Sequence, residues 1–270
     1  LVMGIRQTAQ PLGVGLGALV IPRVAQSHGV STALLFPAVV CAAAAVVVAV
    51  GLLDPPRPPR EQAHPDELAN PYRGTSTLWR IHAVSVLLVA PQSLVWTFTL
   101  VWLMSGHSWS AGSAGLMVTM AQLLGAAGRI AAGRWSDLVG SRLHPVRWIA
   151  AVAALSMGLL ALLDQLDSPL AVAVMVVASV VTVSDNGLAF TAIAEIAGPF
   201  WSGRALGMQN TAQLFTTGVV PPVFGALITA AGFPVAFAVC ALFPLVALPL
   251  VPVHADPLRA ADNSRPPPST

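Results

Sequence analysis

The sequence contains no lysine; all 13 of its basic side chains are arginines. Only 9% of its residues are charged, against about 25% in an ordinary soluble domain. So few charges cannot cover a water-facing surface, which excludes a conventional soluble enzyme or binding module. Cysteine is scarce as well: Cys41 and Cys240 both lie in apolar runs. Two such residues exclude a disulfide framework and a thiolate metal site, and they read as small buried hydrophobes. The six histidines are scattered without the spacing of a metal pair. There is no H-E-x-x-H, no G-x-S-x-G and no phosphate-binding loop. The expectation is a protein without cofactor, without metal and without enzymatic chemistry. No charged stretch precedes a short apolar core at Leu1, so no signal peptide is expected.

What the chain has in abundance is apolar length. It is 56% hydrophobic, with mean hydropathy +0.76. Lipid is therefore the expected solvent and partner for most of it. A net charge of +2 and a pI near 9.0 could suggest nucleic acid. The arginines, however, are dispersed between apolar spans, as in cytoplasmic loops of a membrane protein, and no nucleic-acid partner is expected. A helix crosses the hydrocarbon with about 20 apolar residues. Residues 5–25, 30–53, 78–104, 114–132, 146–163, 170–196, 206–229 and 233–253 qualify. Helices are preferred over strands because the runs are continuous and because backbone groups in lipid must bond within their own segment. The fold class is thus an all-α membrane protein of about eight transmembrane helices.

The charged, proline-rich stretch 54–77 reads as a solvated linker between residues 1–53 and a six-helix bundle, 78–253. Residues 254–270 read as a disordered tail. If the spans alternate, Arg57, Arg60, Arg73, Arg80, Arg129, Arg134, Arg142, Arg147, Arg204, Arg259 and Arg265 share one side, joined by Arg6, and Arg23 lies opposite. This asymmetry assigns linker, tail and C-terminus to the cytoplasm of a multi-pass cell-membrane protein. A weak repeat also emerges at a shift of 203 residues. Gly4, Thr8, Ala9, Gln10 and Gly15 fall on Gly207, Thr211, Ala212, Gln213 and Gly218, and Gly29 falls on Gly232.

The run from Gly133 to Arg142, GRWSDLVGSR, resembles the loop signature of the major facilitator superfamily, roughly G-R-x-S-D-x-x-G-x-R. The resemblance implies a secondary transporter of a small solute working by alternating access, built of two six-helix bundles. If 54–77 is the loop between bundles, the chain looks like helices five to twelve. Residues 1–53 then supply the last two helices of the first bundle. By the same resemblance, Arg134, Asp137 and Arg142 match the signature's charged positions, while Glu195 and Arg204 resemble its companions. An ion-pair cluster of Arg134, Asp137, Glu195 and Arg204 is expected to hold cytoplasmic helix ends together. The plainer alternative is that Asp137 caps a helix and the arginines anchor to headgroups.

Asp185 is the sharpest candidate for the transport path, because a carboxylate inside a span must face a cavity or a partner. It reads either as a proton site, since a carboxyl removed from water holds its proton more readily, or as a packing group held by Ser179, Thr182 and Asn186. Uncharged polar faces in neighbouring spans complete the list: Gln92 with Trp96 and Thr99, Thr119 with Gln122, Gln209 with Gln213 and Thr216, and Gln7 with Gln10. They suit either a polar solute or helix–helix hydrogen bonding. Arg6 reads as a snorkelling arginine, with an anionic substrate as its alternative. Gly13 with Gly17, Ala121 with Gly125, and Gly128 with Ala132 are small-residue pairs that suit close helix contact. Two rivals to a transporter are a truncated, non-transporting membrane protein and a membrane-embedded enzyme.

Overall fold

The computed structural model describes residues 2–53, 59, 61, 63–256 and 258. Asp54, Arg57, Arg60, Arg259, Arg265 and most of the expected tail lie outside the described residues. Among the described residues there are helices and no strands. They are α1 (Val2–Gln7), α2 (Ala9–His28), α3 (Val30–Gly51), α4 (Pro65–Leu68), α5 (Thr77–Gly106), α6 (Ala111–Leu138), α7 (Leu143–Gln165), α8 (Leu170–Val181), α9 (Asn186–Leu250) and a 3-10 turn at Val253–Ala255. The apolar run 5–25 is therefore not one helix but two, α1 and α2, meeting at Thr8.

Residues 170–250 form 81 residues of apolar chain. Straight, they would extend about 120 Å, roughly four hydrocarbon thicknesses, so the chain must fold back. It does so at Gly198 and Gly232, whose φ values are 69° and 86°. Only glycine adopts this region without strain. The result is three helical stretches in α9: 186–197, 199–231 and 233–250. Gly29, at the α2–α3 turn, has φ 82° and ψ 164°, and Gly232 has φ 86° and ψ 170°. The two glycines that the 203-residue shift superimposes thus share one backbone conformation.

α3, α5, α6, α7 and the 170–250 run are each long and apolar enough to cross a membrane. Only 6% of α3's most apolar window is buried; in lipid that surface needs no cover. α5 and α7 pack most extensively on α9, and α2 packs on α6. Two apolar clusters divide the structure along its helix axes. One joins Leu78, Leu143, Ala205 and Val251; the other joins Trp102, Ala114, Leu160, Ala171 and Phe237. The starts of α5 and α7 therefore share one end with the close of α9, and the spans alternate in direction. On α5 the first cluster runs to Leu88 and the second begins at Ala90. Gln92 lies midway along this 30-residue helix, about 22 Å from either end, where the apolar packing gives way to a polar layer.

Small residues set how closely α6 meets α8. A Cβ on Gly125 would come 3.1 Å from Val183 Cγ2, and one on Gly128 only 2.8 Å from Val180 Cγ1 and 3.0 Å from Ser184 Oγ. Gly13 and Gly17 behave differently from expectation: no neighbouring helix lies within 4 Å of a Cβ at either. Gly15 makes the close approach instead: a Cβ added there would lie 3.4 Å from Gln122 Cβ.

The ends of the linker and the tail are less free than their composition suggests. Tyr72 stacks on His82, edge-on to Trp79, and Trp201 Nε1 donates to the Leu68 carbonyl. Residues 254–256, expected to begin a disordered tail, instead fold back so that Asp256 is 1% exposed. The reason is a set of hydrogen-bond donors described below.

Candidate functional site

The span 170–196, expected as one helix, is interrupted at residues 182–185. The sequence explains the break. Ser179, Thr182 and Ser184 each turn their hydroxyl onto the carbonyl four residues back: Met175, Ala178 and Val180. Such back-bonding competes with the regular ladder and bends helices. These hydroxyls are therefore spent on their own backbone, and they do not hold Asp185 as the packing reading required. Asp185 sits at the end of the break, 1% exposed, with its Oδ1 unpartnered among the described residues.

The opposite charge acting on Asp185 is Arg129. By its place in the sequence Arg129 belongs with the loop arginines. The structure buries it instead, at 1% exposure, on the face of α6 that Gly125 and Gly128 bring against residues 180–184. Its Nη1 donates to the Gln7 carbonyl, both Nη atoms lie 3.5 Å from Gln10 Oε1, and its Nε is unpartnered among the described residues. A buried arginine and a buried aspartate thus sit at the junction of α1, α2, α6 and the 182–185 break.

The residue after Asp185 faces the other way. Asn186 Nδ2 donates to Gln92 Oε1 at 2.8 Å, and Gln213 Nε2 donates to Asn186 Oδ1 at 3.0 Å. This amide chain ties α5 to two stretches of α9 at mid-height. It forms one wall of a cavity of about 150 Å³ between α1, α2, α5 and α9. That volume corresponds to roughly five water molecules. Gln92, Trp96, Asn186 and Gln213 are among the residues that line it. The 203-residue shift also carries Gln7 onto Asn210 and Gln10 onto Gln213, and all four line the cavity. Three of the pathway candidates are not among its lining residues: Asp185, which sits one residue before the amide wall, Gln122 and Gln209. Gln122 is packed at its Cβ against Gly15. Gln209 accepts from His82 Nδ1 at 2.6 Å, and His82 Nε2 in turn accepts from the Tyr72 hydroxyl at 2.9 Å.

At the signature loop the expected cluster is rearranged. Arg142 is the hub: its Nη1 donates to Asp137 and to Ser136 Oγ, and its Nη2 lies 3.1 Å from Glu195 Oε1. Arg134 is exposed and forms no ion pair among the described residues. Arg204 lies over the Trp201 ring at 4.9 Å instead. The expected arginines lose because one hub side chain, 13% exposed, reaches both carboxylates at once. Burial opposes the Arg142 charge, but hydrogen bonds to Asp137 and Glu195 outweigh it and raise its pKa above the ordinary value. The cation of this network therefore stays charged at any physiological pH.

Asp256 was not anticipated. Arg142, the N-cap of α7, offers no side-chain acceptor to its own helix. Asp256 supplies one from the far end of the chain: it accepts from the Arg142 and Leu143 backbone N–H groups at 3.2 and 2.8 Å, and from the Ser141 hydroxyl. An acidic cap at a helix N-terminus satisfies orphan donors and complements the helix dipole.

Alternating apolar helices, a polar layer at mid-height and charged groups at one end define a multi-pass α-helical membrane protein. The sequence profile of the Major Facilitator Superfamily matches residues 1–215 and, in a second overlapping alignment, 83–269, and the chain belongs to that family of transporters. It is 58% identical over 257 residues to an uncharacterized MFS-type transporter of Mycobacterium tuberculosis (strain ATCC 25618 / H37Rv), and equally to one from strain CDC 1551 / Oshkosh. Each alignment covers 95% of this chain, and the chain spans 58% of the relatives' length.

Proposed function

We propose that this chain works as a secondary transporter, moving a small polar solute across the cell membrane by alternating access with Asp185 as a proton-coupling group. The observation that carries this reading is the cavity at mid-height: its amide wall begins at Asn186, one residue from a buried carboxylate on which the buried Arg129 acts as the opposite charge. Polar groups at this depth are costly unless they serve a pathway. Binding at the interface of repeated halves is also the arrangement such carriers use, and Gln7/Gln10 oppose Asn210/Gln213 here in that manner. In this reading residues 78–253 rock against residues 1–53, with the linker, the signature loop and the C-terminus facing the cytoplasm.

Sidedness of access tests the reading without knowledge of the solute. Ser93 lines the cavity and is buried. A Ser93→Cys variant, made in a Cys41→Ser, Cys240→Ala background and reconstituted in liposomes, is expected to react with a membrane-impermeant maleimide added from either side. Reaction from one side only would point to a non-transporting membrane protein.

A further inference from the structure

The hydrogen-bonding inventory of the cavity selects the charge of its occupant. We infer that the solute is a small organic anion bearing a carboxylate, with Arg6 as its counter-ion. This inference rests on the reading of the cavity as the solute site.

Arg6 is the only charged residue among the described residues that line the cavity. Among the described residues its guanidinium forms one hydrogen bond, to the Met3 sulfur at 3.6 Å, and meets no carboxylate. The surrounding amides are polarised by their own partners. The Gln92 carbonyl is taken by Asn186, which leaves its N–H groups. The Gln10 carbonyl is turned to Arg129, which again leaves N–H groups. Trp96 Nε1 is buried and unpartnered, and an indole can only donate. Against these donors stand Gln213 Oε1, whose amide nitrogen is spent on Asn186, and the side-chain oxygens of Gln7 and Asn210, each of which brings its own N–H donors with it. A cationic solute would find no carboxylate on this wall and would face Arg6. A carboxylate supplies acceptors to unpaired donors, and charge-assisted bonds of this kind are the strong ones.

The second half of the molecule sharpens the point. The 203-residue shift places Arg6 on Gln209, and Gln209 is tied to His82 instead of lining the cavity. Arg6 is therefore a charge that the repeat does not require, located where the cavity would use it.

The test uses three probes of similar size and different charge, benzoate, benzamide and benzylamine, each measured at equal ionic strength for protection of Ser93→Cys from maleimide in liposomes. Benzoate is expected to protect, and benzylamine is not. Arg6→Gln should weaken benzoate protection about tenfold, the lower end expected for one charge-assisted bond. Arg6→Lys should recover part of it, and Arg23→Gln, remote from the cavity, should leave it unchanged. Protection by benzamide or benzylamine equal to that by benzoate, or benzoate protection indifferent to Arg6→Gln, would overturn the anion assignment. So would a lack of protection by all three. In each case two-sided labelling of Ser93→Cys decides separately whether the cavity reading survives.

Discussion

Arg129→Met is expected to destabilise the protein by about 1–3 kcal/mol, the cost of leaving buried polar groups without the donor or opposite charge that acts on them. The double variant Arg129→Met, Asp185→Asn should recover most of that loss. Arg129 and Asp185 are each 1% exposed, and each is the opposite charge acting on the other. Removing the cation leaves a carboxylate in a medium that cannot solvate it; removing both leaves two neutral groups. A remainder of about 1 kcal/mol should persist, because the Gln7 carbonyl and Gln10 amide lose a donor in both variants. Thermal unfolding of the purified variants measures the difference. If the double variant is as unstable as the sum of the singles, the two charges are not coupled.

Arg142→Gln is expected to loosen the signature-loop end. One guanidinium there joins Asp137 at the end of α6, Ser136 beside it, and Glu195 in α9. Hydrogen bonds to charged groups contribute about 1.5–3 kcal/mol when buried. Asp137 and Glu195 are 42% and 32% exposed, so water screens the pair, and about 1–2 kcal/mol is the appropriate scale. That range corresponds to a 5–30-fold shift in a conformational equilibrium. Labelling of Ser93→Cys from the signature-loop side should rise accordingly. Arg134→Gln, which removes an exposed arginine without an ion pair among the described residues, should change the ratio little.

The two arginines also show what could be read from the sequence. Apolar runs revealed the spans because in lipid every residue of a crossing must be tolerable to hydrocarbon. Asp185 stood out for the same reason inverted. The break before it was not legible, because Ser179, Thr182 and Ser184 are compatible with helix until their hydroxyls choose backbone acceptors. Arg129 was grouped with loop arginines by its place near Arg134. The signal that could have found it is local: Gly125 and Gly128 precede it on a face that nothing larger could share with α8. Arg142 rather than Arg134 became the hub because the α6–α7 turn, which spacing alone does not describe, brings it back onto Asp137. Asp256 was hidden by the polar composition around it. Its role depends on the donors at Ser141, Arg142 and Leu143, more than a hundred residues earlier.

The proposal that Asp185 couples proton binding to the change of access is tested most directly by the pH dependence of sidedness. In Ser93→Cys liposomes, the ratio of labelling from the two sides removes the intrinsic pH dependence of the thiol reaction. The account predicts that this ratio changes between acidic and alkaline medium. It also predicts that Asp185→Asn holds the ratio at its acidic-limit value throughout, since an amide stands in for the protonated acid. An Asp185→Asn protein whose ratio still follows pH as the parent's does would contradict it.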